Sequence, residues 1–221
     1  MKGKLVKKGI AFLLALSMLG TMYIPANAEE DTSAQADGAE VVAQIGEETY
    51  TSLEDAIAAV PDNGKEATEI KIVIEKPLYM TPGLKIGSES SHKNIILNLQ
   101  TRAMYFQPDT YSSDLAVNGM EIAYGSKVTI ENGTIAMLTG KDGTKSQGSV
   151  IVNYGELNLI EGEVRGKNLD ASGVTVRNFN QLTTNMTIVA PESTPFNKAL
   201  VTGNYKKGVN VQTTINSGLV Q

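Results

Sequence analysis

The chain has 221 residues, 19 basic and 24 acidic side chains for a net charge of −5, 21 glycines, and neither cysteine nor tryptophan. An acidic surface repels phosphate backbones and anionic headgroups, which argues against nucleic acid and membrane surfaces as partners. Without cysteine there are no disulfides and no thiolate metal site, so stability must come from a packed core.

Lys2, Lys4, Lys7 and Lys8 open the chain, an apolar run follows from Ile10 to Leu19, and Ala26-Asn27-Ala28 is a small-x-small cleavage pattern. Together they predict a signal peptide over 1–28. The apolar run is shorter than the roughly 20 residues that span a bilayer. Removing the segment leaves 193 residues with a net charge of −9, and no later apolar stretch is long enough for a membrane span. Residues 29–40 (EEDTSAQADGAE) are acidic and small and predict a disordered linker.

The folded domain is expected over 41–221. VVAQI, a turn from Gly46 to Thr49, and Tyr50 read as a short strand or hairpin. One helix follows near 52–60. Ser52 is its N-cap, Asp55 sits three residues on, and Leu53, Ala56, Ile57 and Val60 form one apolar stripe. Pro61, Asn63 and Gly64 stop it.

Beyond Thr68 the chain repeats itself. VTIENGTI from Val128, LNLIEGEV from Leu157 and LTTNMTI from Leu182 are three copies, the last one residue shorter and without the glycine. A looser copy begins at Leu97 and another lies within Val209–Val220, giving steps of 31, 29, 25 and 27 residues. A second marker, Asn153-Tyr154, Asn178-Phe179 and Asn204-Tyr205, keeps the same beat, with Ala123-Tyr124 one step earlier. Apolar runs at 115–117, 150–152, 174–176 and 199–201 lie between the markers, so each unit offers at least two short strands. Such spacing suits a solenoid whose stacked coils bury alternate side chains and whose insertions fall in loops. The expected fold is all-β: a right-handed parallel β-helix with a short N-terminal capping helix.

Three stretches carry a family resemblance. Ile45-Gly46-x3-Tyr50-x2-Leu53-x2-Ala56-Ile57 stands ahead of the coils, Ile95-Ile-Leu97-Asn-Leu99 is an early buried strand, and GSKVTIENGTI and YGELNLIEGEV are successive coils. The arrangement resembles the right-handed β-helix (pectin-lyase-like) domains of secreted and surface proteins of Gram-positive bacteria, over roughly residues 41–221. The early strand departs from that family's pattern, with Asn98 in place of Asp and no glycine following. The resemblance implies a fold and an extracellular or cell-surface setting; the fold itself hosts lyases, hydrolases, adhesins and spacers.

Candidate chemistry is sparse. Glu131 and Glu161 occupy nearly equivalent coil positions, with Arg165 and Lys167 close by. Stacked, they could hold a sugar or a cation such as calcium; they also read as ordinary charged turn residues. Tyr105, Phe106 and Tyr111 fall in Met104–Tyr111, which reads as a break in the coil pattern. An exposed ring there could stack on a sugar, whereas Tyr105 and Phe106 packed inside the coil is the plainer expectation. His92, the one histidine, lies in a polar loop without a partner for a metal, and no aspartate pair points to paired-carboxylate hydrolysis. No catalytic or metal residue is assigned.

The leading expectation is a secreted or cell-surface, non-catalytic solenoid acting as a structural, adhesive or glycan-binding module. Polysaccharide or a host or cell-wall glycan would be its partner, with self-association through an open C-terminal coil. The alternatives are a polysaccharide lyase or hydrolase, which needs Glu131, Glu161 and Arg165 on one exposed face, and a piece of a longer surface protein.

Overall fold

The computed structural model describes residues 40–112, 116–192, 198–204 and 208–221. The expected signal peptide and all but the last residue of the expected linker lie outside the described residues.

The domain opens with a hairpin of β1 (Ala43–Ile45) and β2 (Glu48–Tyr50), turned at Gly46, where φ is +57°. Helix α1 (Leu53–Ala59) follows. Ser52 Oγ accepts the Asp55 amide at 3.1 Å and donates to the Asp55 carboxylate at 2.7 Å, a reciprocal cap of the kind read from sequence. Leu53, Ala56, Ile57 and Val60 are buried, and the helix packs against β1, β2 and the first strand of the solenoid.

Coil one consists of β3 (Thr68–Ile72), β4 (Leu78–Met80) and β5 (Leu84–Ile86). Coil two is β6 (Asn94–Asn98), β7 (Ala103–Phe106) and β8 (Met120–Ile122). Coil three is β9 (Lys127–Glu131), β10 (Gly133–Met137) and β11 (Ser149–Asn153). In coil four, β12 (Glu156–Leu159), β13 (Gly162–Arg165) and β14 (Val174–Asn178) follow the same course. Coil five has β15 (Gln181–Thr184), β16 (Thr187–Val189) and β17 (Lys198–Thr202), and β18 (Gln212–Ile215) starts a sixth. First strands stack as sheet A, second strands as sheet B and third strands as sheet C; all these pairings are parallel, and β1 and β2 extend sheet A antiparallel beyond β3. The all-β solenoid expected from the repeats, with its short helix near the N-terminal end, is therefore present. No helix among the described residues is long and apolar enough to cross a membrane.

Period-two alternation builds the core. Ile70, Leu97, Ile130 and Leu159 stack in sheet A; Leu78, Met104, Ile135, Val164 and Ile188 in sheet B; Leu84, Met120, Ile151 and Val176 in sheet C. All are buried. The copies at Val128, Leu157 and Leu182 align as the sequence suggested.

Other alignments shift. Val128 pairs with Ile95 rather than Leu97, and Leu182 with Thr213 rather than a residue near 209. Met104–Phe106 is no break in the pattern but part of β7. Of the run at 115–117, Leu115 lies outside the described residues and Ala116 and Val117 belong to no strand; sheet C is supplied by Met120–Ile122 instead. Coil one carries no Gly or Asn marker, so nothing in the repeat announced it.

Two corners explain the markers. Between sheets A and B, Gly133 stacks on Gly162, and a Cβ on Gly162 would lie 1.8 Å from the Gly133 carbonyl oxygen. In coil five the corner is one residue shorter; there Thr184 Oγ1 accepts the Met186 amide at 3.1 Å and Met186 is buried where the glycine stood. Between sheets C and A, Asn153 and Asn178 are fully buried. Asn153 Nδ2 donates to Asn178 Oδ1 and to the Gln181 carbonyl, both at 2.8 Å, while its own Oδ1 accepts the Gly155 amide at 3.0 Å. Tyr154 and Phe179 stack outside them, centroids 5.1 Å apart and 10° from coplanar. The next coil departs: Asn178 is followed in register by Thr202, not Asn204, and Tyr205 lies outside the described residues.

Candidate functional site

The outward residues of sheet B form two columns along the solenoid. Tyr79, Tyr105, Ala136, Arg165 and Val189 are in register in one; Ala103, Thr134, Glu163 and Thr187 in the other. Strands lie about 4.8 Å apart, which puts Tyr105 and Arg165 roughly 10 Å from each other across the small side chain of Ala136. Tyr79 and Tyr105 pack at 5.4 Å between centroids with their planes tilted by 52°, and Tyr79 is 59% exposed. Arg165 turns back along its own strand: Nε donates to Glu163 Oε2 at 2.6 Å and Nη2 meets the same oxygen at 2.6 Å. Residues i and i+2 of a strand share a face, so this pair is a direct product of the Glu-Val-Arg order.

Beside these columns, at the corner with sheet A, a cleft of about 490 Å³ is lined by Thr101, Asn132, Thr134, Glu161, Glu163 and Thr187, with Gly133 and Gly162 in its floor.

The loops that leave sheet B just past the tyrosine–arginine column are stacked as well. The Asp109 carboxylate accepts Lys141 Nζ at 2.8 Å, the Asp142 amide donates to the Asp109 carbonyl at 3.1 Å, and Ser146 Oγ donates to the Val117 carbonyl at 2.6 Å. Hydrogen bonds from Thr110 and then Thr144 hold the Asp142 carboxyl below the usual range. One loop further on, Lys167 pairs with Glu192 at 2.8 Å and lowers the Glu192 carboxyl likewise.

The residues singled out from sequence separate. Glu161 lines the cleft. Glu131 does not: it ends β9, half-buried and in register with Asn98, while the residue following it, Asn132, aligns with Glu161. The two glutamates are thus one position out of step, and the carboxylate that meets Arg165 is Glu163. Tyr105 lies on the outer face, with Phe106 fully buried inside the coil, so one of the two rings packs inward and the other does not. Tyr111 is 5% exposed; its hydroxyl donates to the Leu138 carbonyl at 2.9 Å and burial pushes its ionisation upward. Its ring has no open face. Among the described residues, no three His, Asp or Glu side chains converge as a metal site. His92 Nε2 lies 3.2 Å from the Glu89 carbonyl within its loop. Tyr79 and Glu163 were not foreseen, although alternation places Glu163 on the face of Arg165.

Comparison with protein-family models, with curated proteins and with solved structures returns no match for this chain.

Proposed function

We propose that the protein is exported and acts as a non-catalytic glycan-binding module, its solenoid being a right-handed β-helix of the pectin-lyase-like kind. The observation that carries the reading is the outer face of sheet B, where an exposed tyrosine packed on a half-buried one, a Glu–Arg pair and a polar cleft adjoin one another. Aromatic rings cover the apolar C–H face of a sugar, and a carboxylate–guanidinium pair accepts from and donates to its hydroxyls. A ladder with a repeat of about 4.8 Å also offers an extended polymer a flat, rigid track. The signal-peptide pattern of 1–28 supports export, and the acidic surface favours a neutral or cationic polysaccharide over an anionic one.

The test is depletion of the protein from solution by a panel of insoluble plant, host and bacterial polysaccharides, with release of reducing and unsaturated ends scored in the same tubes. Binding to one or more of them without products is expected, and the double variant Tyr79→Ala/Tyr105→Ala should lose at least tenfold in affinity, about 1.4 kcal/mol. Release of products would overturn the reading, as would binding indifferent to both tyrosines.

A further inference from the structure

We propose that Asn63 is a site of spontaneous covalent modification in the folded protein: its side-chain amide is lost through a cyclic imide, leaving aspartate or isoaspartate in a cleft lined by lysines. Asparagine followed by glycine occurs three times in the chain, at Asn63-Gly64, Asn118-Gly119 and Asn132-Gly133. Glycine has no Cβ to hinder its own nitrogen, so by sequence all three pairs are equally suited to the reaction. The fold separates them.

The reaction begins at the glycine amide. The Gly64 N–H gives up its proton to base from solvent, the nitrogen attacks Asn63 Cγ, and an N–Cγ bond forms. The Cγ–Nδ2 bond breaks, and that nitrogen takes up a proton and leaves as ammonia. Water then adds to one of the two imide carbonyls and opens the ring. Nothing is oxidised or reduced. An N–H held by a carbonyl inside a sheet cannot take the first step until that bond opens.

Two of the three glycines are held in this way. Gly119 N–H donates to the Ser149 carbonyl at 2.8 Å, Asn118 Oδ1 accepts the Ser149 amide at 2.9 Å, and Gly119 is buried against the Phe106 ring. Gly133 N–H donates to the Glu161 carbonyl at 3.2 Å, within the β10–β13 pairing. Asn63 differs. It is exposed, as are its neighbours from Pro61 to Ala67 except the half-buried Gly64. Among the described residues the Gly64 amide has no hydrogen-bond partner. The loop is tied down around that amide rather than at it: Asn63 N–H donates to the His92 carbonyl at 2.7 Å, and Asn94 Nδ2 to the Lys65 carbonyl at 3.2 Å.

Charge favours the same site. Asn63 and Gly64 line a cleft of about 400 Å³ together with Lys65, His92, Lys93 and Lys127, and no carboxylate lines it. Of the acids around it, Asp62 holds Lys93 at 2.7 Å, Glu156 holds Lys127 at 2.9 Å, and Glu66 is exposed beside Lys65. A cationic lining favours both the deprotonated amide and the carboxylate that results.

The experiment incubates the full chain at mildly alkaline pH in water enriched in heavy oxygen, folded and, in parallel, unfolded in urea. Peptide mapping with mass spectrometry reads the label at each asparagine. Unfolded, all three should convert at similar rates. Folded, Asn63 should stay within about threefold of its unfolded rate, whereas Asn118 and Asn132 should slow at least about tenfold, which corresponds to about 1.4 kcal/mol of opening. In the folded Asn63→Gln variant, whose longer side chain closes a ring far less readily, most of the label gained by wild type should be absent. Conversion of Asn118 or Asn132 in the folded chain as fast as Asn63 overturns the proposal. So does an Asn63 slowed as much as they are, or an Asn63→Gln variant labelled as fast as wild type.

Discussion

Replacing Asn178 with alanine isolates the contribution of the buried corner between sheets C and A. The side chain accepts Asn153 Nδ2 at 2.8 Å and donates to Thr213 Oγ1 at 2.9 Å and to the Gln212 carbonyl at 3.0 Å. Two longer contacts, to the Asn180 carbonyl and from the Asn180 amide, add little at 3.3 Å each. Three good bonds at about 1 kcal/mol net come to about 3 kcal/mol, because truncation strands partners in a site that water does not reach. With a urea dependence of about 2 kcal/mol per molar, the unfolding midpoint should fall by about 1.5 M. Equilibrium unfolding followed by circular dichroism measures it. Asn158, on the neighbouring sheet A strand β12 but outward and half-buried, is the matched comparison, and Asn158→Ala should stay within about 0.5 kcal/mol of wild type. If Asn178→Ala shifts the midpoint no more than Asn158→Ala does, the corner is not held by its amide and the reasoning fails.

Gly162→Ala should cost about 3 kcal/mol or more in the same assay, since φ is +129° and the added Cβ would meet the Gly133 carbonyl; Gly143→Ala, also at positive φ but with open space around it, should cost less. Ser52→Ala should cost about 1 kcal/mol through loss of the α1 cap. Lys93 Nζ reaches the Val60 carbonyl at 2.6 Å and the Asp62 carboxylate at 2.7 Å, and with Ser91 it holds the Asp62 carboxyl below its ordinary 3.8. A lowered carboxyl stabilises the fold above the ordinary value and loses that contribution as pH falls through the lowered one. Carboxyl NMR titration should therefore find Asp62 below 3.8 in wild type and higher in Lys93→Met. Tyr111→Phe, which removes only a buried hydroxyl bond, should cost about 1 kcal/mol of stability and leave polysaccharide binding unchanged.

The parts of the fold that could be read in advance are those where a side chain has one physically permitted role. Gly133 and Gly162 mark a corner too crowded for a Cβ, and Asn153 and Asn178 mark one where a buried amide bonds the next coil; between such fixed points, Val128, Leu157 and Leu182 aligned without error. Where the chain is apolar at every second position regardless, as at Ile95, Leu97 and Leu99, a slip of two residues keeps the same face inward, and the register was misjudged by that amount. Coil one has neither kind of corner, and its strands of three to five residues give too few alternations to stand out. The candidate site was less legible because it is assembled between coils. Tyr79 and Tyr105 are 26 residues apart in the chain and meet only through stacking, and whether Tyr105 or Phe106 faces inward depends on a register that no local pattern fixes. The Glu163–Arg165 pair was available from alternation within one strand.

The asparagine corner also bears on how such a chain can change length. Glu156 lies beside Gln181, so one turn here consumes 25 residues, and this turn presents an asparagine to the coil before it and receives one in return. A tandem duplication of residues 156–180 would insert a coil whose upper and lower surfaces already match its neighbours, amide on amide and ring on ring. Asn153 itself already lies in register with Ile122 of the coil before it, so the column of asparagines begins at coil three. Growth by whole turns is therefore open wherever a coil carries the asparagine that its own copy would meet.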